Sequence, residues 1–232
     1  MTDWLSPEEW VAVRLSLKVA LTAVAASLVP GIAVAFALER GRFWGRQALD
    51  VIVHLPLVLP PVAVGYFLLL GFGRRGPIGA FLAEQFGIVL SFRWTGAALA
   101  CAIMGFPLLV RAVRLSVESV DRRLEDAAGT LGAHPVFVFF AVTLPLILPG
   151  IIAGMVLSFA KAMGEFGATI TFVSAIPGET LTLPSAIYAH TQGPGGEAGA
   201  FRLSLVSVVI ALAAVIASEI LTRRMGRSGR LT

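Results

Sequence analysis

Charge is scarce in this sequence: its 232 residues include 18 Lys or Arg and 14 Asp or Glu, so only 14% are charged. Soluble domains carry roughly a quarter, and a mean hydropathy of +0.86 with 57% hydrophobic residues excludes that class. Cysteine is nearly absent. The single Cys101 rules out a disulfide framework and any multi-cysteine metal site, and its apolar surroundings predict burial. The three histidines, His54, His134 and His190, have no companions at ligand spacing, so no metal site is expected. Lysine occurs twice, as Lys18 after Leu17 and Lys161 after Ala160. Neither completes the Gly-Lys-Ser/Thr cradle that holds nucleotide phosphates. ATP binding by that motif is excluded, and no residue is assigned a catalytic role. A signal peptide is not expected either, because Asp3, Glu8 and Glu9 precede the first apolar run, where such a peptide carries positive charge.

Long apolar runs are what the chain has in quantity. A transmembrane helix needs about 20 mainly apolar residues to cross the hydrocarbon, and five runs of that order occur at about 11–38, 50–72, 94–113, 136–163 and 201–222. A further stretch, 168–190, opens with "ATITFVSAI" and then meets Pro177, Gly178 and Glu179. It reads as a short or re-entrant element. Irregular backbone at that depth is tolerated only where protein or a water-filled cavity satisfies it, which points towards a translocation pathway. The expected fold is all-α: one polytopic membrane domain over 1–232 with about five spans, surrounded by lipid.

Arginine sets the orientation, since cytoplasmic loops collect Lys and Arg. Arg40, Arg42 and Arg46 follow the first span, Arg111, Arg114, Arg122 and Arg123 follow the third, and Arg223, Arg224, Arg227 and Arg230 close the chain. All three groups fall on one side, placing the N-terminus outside and the C-terminus in the cytoplasm. The loops at about 73–93 and 175–200 then lie outside. Trp4, Trp10, Trp44 and Trp94 sit near span boundaries and suit interfacial anchoring. The sequence pI near 10 follows from this topology, because no basic folded module remains to bind nucleic acid.

The cytoplasmic loop at about 114–135 contains "EDAAGTLGA". Asp121 can cap a helix, Glu125 and Asp126 place acid in its first turns, Gly132 can close it and Pro135 follows. A helix at about 122–131 is expected. Its Ala127, Ala128 and Gly129 permit close approach of another backbone, while Leu124 and Leu131 offer apolar anchors seven residues apart. The helix either lies solvated on the membrane surface or fits a partner's groove.

Three membrane segments carry chemical content. "HLPLVLPPVAVGY" holds Pro56, Pro60 and Pro61, which interrupt the helical ladder as hinges or as simple architecture. Span four begins with Pro145 and Pro149, then sets Gly150, Gly154, Ser158 and Ala162 on one face. Small residues so spaced allow close packing, within the chain or against a second copy. Lys161 and Glu165 share a helix face, and ionisable groups at such depth are a functional hypothesis. Gly164, Glu165, Phe166 and Gly167 predict a break in the helix, with Lys161 and Glu165 as a structural pair or as part of a pathway or gate.

The run "DAA", three residues, Gly132, nine residues, "VTLP" resembles the EAA loop of binding-protein-dependent ABC importer permeases, with Asp126 in place of Glu and Val142 in place of Ile. Together with "FGRRGPIG", "GEFGATITF" and "PSAIYAHTQGPGGE", it makes the whole chain similar to the permeases of bacterial molybdate importers, to which sulfate permeases are also similar. The resemblance implies a type I ABC importer permease fold and a bacterial inner-membrane location. It also implies a coupling helix formed by Leu124, Glu125, Asp126, Ala127, Ala128, Gly129, Leu131 and Gly132. The implied assembly is a homodimer with two cytoplasmic ABC ATPase subunits, which hold ATP and Mg, and an extracytoplasmic oxyanion-binding protein. Molybdate, tungstate and sulfate stay open as substrates. An ion-coupled secondary transporter is the competing class, but such folds commonly show internal repeats, and none is evident here.

Overall fold

A computed structural model of the chain describes residues 4–228, with side chains described as far as residue 221; Arg230 lies outside the described residues. Eleven α-helices and one π-helical turn account for most of them, and no strand occurs among the described residues.

The first helix, α1 (Pro7–Arg40), begins with a reciprocal cap: Ser6 Oγ accepts from the Glu9 amide at 3.2 Å, and Glu9 Oε2 accepts from the Ser6 amide at 2.6 Å. This satisfies two of the amides that a helix start leaves unpaired. Helix α5 (Trp94–Ser119), the most buried of the spans, a rod over Pro135–Met163 and α11 (Glu197–Ser228) are the other long helices. These four helices are long and apolar enough to cross a membrane. Helix α5 runs six residues past the expected span end at 113. Charged Arg114 and Glu118 end the apolar run, but buried Val113 and Val117 keep the helix packed.

The second expected span, 50–72, is two helices, α2 (Arg46–Val58) and α3 (Pro61–Phe72), whose axes differ by 116°. The cause is local. A residue preceding proline is pushed out of the helical region, and Leu59 and Pro60 both precede one. Their ψ angles are 144° and 132°. Neither Pro60 nor Pro61 has an amide hydrogen, so the ladder of α2 ends at Leu59, which donates to the Leu55 carbonyl. The turn therefore exceeds an ordinary proline kink.

The loops expected at 73–93 and 175–200 are partly helical: they contain α4 (Pro77–Phe86) and α10 (Leu183–Gln192). The stretch expected to be short or re-entrant holds α9 (Gly167–Val173) followed by α10, each too short to span a bilayer.

The rod over Pro135–Met163 comprises α7 (Pro135–Val138), the π-turn (Phe139–Thr143) and α8 (Leu144–Met163). Pro145 cannot donate to the fourth carbonyl before it, and the wider turn accommodates this, with Leu144 donating to Phe139 five residues back. Pro149 sits inside α8.

The small-residue face of α8 packs on α5 of the same chain. A Cβ on Gly150 would collide with Ser116, a Cβ on Gly154 would lie 2.9 Å from Leu109 Cδ1, and a Cβ on Gly105 would collide with the Ser158 hydroxyl. One step further, the Cys101 thiol donates to the Ala162 carbonyl at 3.6 Å. The contacts descend α5 as they ascend α8, an antiparallel pairing that small residues allow. Of the two alternatives open from sequence, packing within one chain is the one observed. The buried apolar side chains form two clusters along these helices. One is around Val19, Met104, Phe172 and Leu203, and the other around Leu38, Val110, Val113 and Ile147.

Candidate functional site

Both expected irregularities, the proline-rich turn after α2 and the glycine-flanked break after α8, meet in space. A Cβ on Gly167 would lie 2.8 Å from Pro61 Cβ, and a Cβ on Gly65 would press on the Ala168 carbonyl and backbone. Glycine at both positions is what permits α3 and α9 to touch.

Glu165 organises the break. Its Oε1 accepts from the Ala168 amide at 2.9 Å and its Oε2 accepts from Lys161 Nζ at 2.7 Å. The first contact places a negative charge at the start of α9, where unpaired amides favour it. Thr169 reinforces the turn by donating to the Glu165 and Phe166 carbonyls. The pair is lopsided: the Glu165 side chain is 1% exposed, that of Lys161 30%. Phe166 lies against Tyr188 of α10, with ring centroids 5.1 Å apart. The arrangement leaves a cation partly exposed while its counter-charge is fixed inside. Pro56 lies within α2, Pro60 and Pro61 at the break, and Pro145 and Pro149 near the start of α8. Only the Pro60–Pro61 step produces a sharp change of direction.

At the other end of the spans stands α6 (Arg122–Thr130), one residue shorter than expected. Asp121 caps it by accepting from the Arg123 amide at 3.0 Å. Gly132 closes it at φ +86°, with the Gly132 and Ala133 amides donating to the Gly129 and Ala128 carbonyls. This paired closure is the form glycine makes possible. None of its residues is buried; Leu131 is 89% exposed and Leu124 50%. Asp126, Ala127 and Gly129 are exposed as well, and Ala128 is half-buried.

Glu125 differs from its neighbours. Its Oε2 lies 3.4 Å from Arg40 of α1 and its Oε1 accepts from the Thr143 hydroxyl of the π-turn at 2.8 Å. Arg40 also donates to the Val117 and Val120 carbonyls at the end of α5. Next to it, Arg114 bridges Glu39 at 3.1 Å and Asp50 at 3.2 Å. The sequence places Glu125 among the residues of the implied coupling helix and as acid in its first turns, and gives no sign of Arg40, Thr143 and Arg114 as members of this cluster. Nothing in local spacing relates these positions, which are far apart in the chain.

The family profile described as "Binding-protein-dependent transport system inner membrane component" matches residues 11–227. The chain belongs to that family. Membership makes it a multi-pass inner-membrane transport component rather than an enzyme in its own right. It is 57% identical over 227 residues to the molybdenum transport system permease protein ModB of Escherichia coli strain K12, covering 97% of this chain and 99% of the relative. It is 51% identical over 214 residues to the Haemophilus influenzae protein of the same name, covering 92% and 93%. The sulfate transport system permease protein CysW of Synechococcus elongatus is 34% identical over 223 residues, covering 95% and 76%. Among solved structures, a bacterial ABC transporter involved in alginate import superposes with a TM-score of 0.75 at 18% identity, covering 94% of this chain and 80% of the other. The MetNI methionine ABC transporter in an inward-facing conformation gives 0.71 at 16%, covering 95% and 98%. These two establish the fold, that of ABC importer permeases.

Proposed function

We propose that this chain is the membrane-spanning permease of an ATP-driven importer that carries molybdate across the bacterial inner membrane by alternating access. The observation that carries the reading is α6. The residues matching the EAA pattern form a short closed helix that keeps Leu124, Asp126 and Leu131 exposed while its other side is bound to the spans. Such a helix suits the cleft of a cytoplasmic ATPase. ATP and Mg reside on that partner; two ATPase subunits serve two copies of this chain, and an extracytoplasmic oxyanion-binding protein delivers the substrate. The α6 end is the cytoplasmic end, with the N-terminus outside and the C-terminus inside, in keeping with Arg40, Arg42, Arg46, Arg122 and Arg123 gathered there.

Closure of the ATPase pair displaces α6. The rod that follows it carries this displacement to the break at Gly164–Gly167, where Lys161 and Glu165 form part of the gate. An arriving oxyanion competes with Glu165 for the half-buried Lys161 ammonium, while the Ala168 amide continues to hold the carboxylate. The gate then has two states, closed with the pair intact and open with the anion on Lys161 and the Glu165 carboxylate held by the Ala168 amide alone.

Molybdate is favoured over sulfate, thiosulfate or tungstate by the near full-length similarity to molybdenum permeases; the weaker similarity to a sulfate permease keeps sulfate as the second reading. The test is cellular molybdenum content in cells lacking their own uptake system and supplied with this chain and its partner subunits, at trace molybdate. Accumulation that survives excess sulfate supports the proposal. Accumulation abolished by sulfate moves the substrate to sulfate, and no accumulation rejects molybdate.

A further inference from the structure

We infer that Glu125 is a positioning residue that ties α6 to the spans, so that displacement of this helix moves α1 and the π-turn instead of being absorbed in the loops. The inference rests on the reading of α6 as the ATPase-contacting helix and adds the device by which its motion enters the membrane domain.

Three observations converge. First, α6 has no buried residue of its own, so packing alone holds it weakly; its attachment has to come from polar contacts. Second, the Glu125 carboxylate divides its two oxygens between different elements, Oε2 towards Arg40 at the end of α1 and Oε1 on Thr143 in the π-turn. Third, Arg40 is itself held by the Val117 and Val120 carbonyls. A cation over the last carbonyls of a helix is favourable, so Arg40 is a fixed post rather than a mobile surface charge. Its side chain is 16% exposed and that of Glu125 23%, shielded enough for the contact to outweigh a fully solvated ion pair.

The second anchor gives the tie its direction. Thr143 lies in the one π-turn among the described residues, two residues before Pro145. A π-turn is a local departure from the regular ladder and frequently marks a functional site. Pull on Thr143 therefore acts on the irregular turn of the rod that leads to Lys161 and Glu165. Asp126, the next residue in the chain, is exposed and free to face the ATPase. Adjacent acids thus point opposite ways, one towards the partner and one towards the chain's own spans.

The experiment uses proteoliposomes containing the permease, its ATPase subunits and the oxyanion-binding protein, with molybdate moved and ATP hydrolysed measured together. Glu125→Gln and Thr143→Val each lower the ratio of molybdate moved to ATP hydrolysed by about threefold. Thr143→Ser, which keeps the hydroxyl, restores the ratio, an outcome that a purely steric role for Thr143 does not produce. The double variant Glu125→Gln/Thr143→Val falls further than either single one, because the first removes the charge facing Arg40 and the second removes the hydroxyl that Oε1 accepts from. Unchanged ratios in Glu125→Gln and Thr143→Val, with the wild type transporting, overturn the tie and leave the importer reading standing. A wild type that hydrolyses ATP without moving any anion removes that reading and the tie with it.

Discussion

Gly167 of α9 touches Pro61 of α3 so closely that a Cβ on the glycine would lie 2.8 Å from the proline Cβ. Two interruptions of helical structure, one made by consecutive prolines and one by a glycine-flanked acid, are therefore a single joint. Each leaves room for the other.

Gly167→Ala is predicted to wedge this joint, costing about 1–3 kcal/mol through overpacking and reducing uptake. Gly71→Ala is the control: a Cβ there meets nothing within 4 Å, and the substitution should be neutral or stabilising by up to about 1 kcal/mol. Thermal unfolding of the purified variants in detergent, read beside uptake, checks both.

Loss of one partner from the Lys161–Glu165 pair should be asymmetric. Glu165 is the buried member, so Lys161→Met strands its charge and costs about 2–4 kcal/mol. Glu165→Gln still accepts from the Ala168 amide and leaves Lys161 near solvent, costing less. The order of the two melting temperatures tests this; the reverse order would mean that the lysine, not the carboxylate, bears the cost of burial.

Gly132 has φ +86° but open space around its missing Cβ. Gly132→Ala should cost about 1 kcal/mol from backbone strain alone, and Gly132→Asn less, since Asn tolerates that conformation. Gly132→Asp should uncouple ATP hydrolysis from transport or prevent assembly while the membrane domain stays folded. Normal uptake by Gly132→Asp would remove Gly132 from the coupling role.

Leu131 and Leu124 are exposed on α6. Replacing both with Ser should change the stability of the isolated permease by no more than about 0.5 kcal/mol yet release the ATPase subunits on purification. Retention of the subunits at wild-type stoichiometry would show that these leucines are not the anchors.

How much was legible depended on how local the cause was. Helix α6 was visible nearly to the residue because Asp121 and Gly132 act within a turn of the helix they bound. The break at Gly164–Gly167 was visible for the same reason. The 116° turn between α2 and α3 was only half visible. Consecutive prolines predict a disturbance, but the direction α3 takes depends on α9, which joins it much later in the chain. The spacing of Gly150, Gly154, Ser158 and Ala162 announced a close-packed face without naming α5 as its partner, since small residues carry no address. Glu125 was read as a charge favouring its own helix; its bonds to Arg40 and Thr143 arise only from the fold. One local signal was overlooked: Ser6 and Glu9 have capping-box spacing, and Glu9 Oε1 also binds Arg202 of α11 at 2.8 Å.

Uptake of molybdate into proteoliposomes, energised either by ATP or by an imposed ion gradient, tests the central claim most directly. The preparation contains the permease, its ATPase subunits and the oxyanion-binding protein. The account predicts accumulation that requires ATP hydrolysis and persists when proton and sodium gradients are collapsed. Accumulation driven by an ion gradient without ATP would contradict it and identify a secondary transporter.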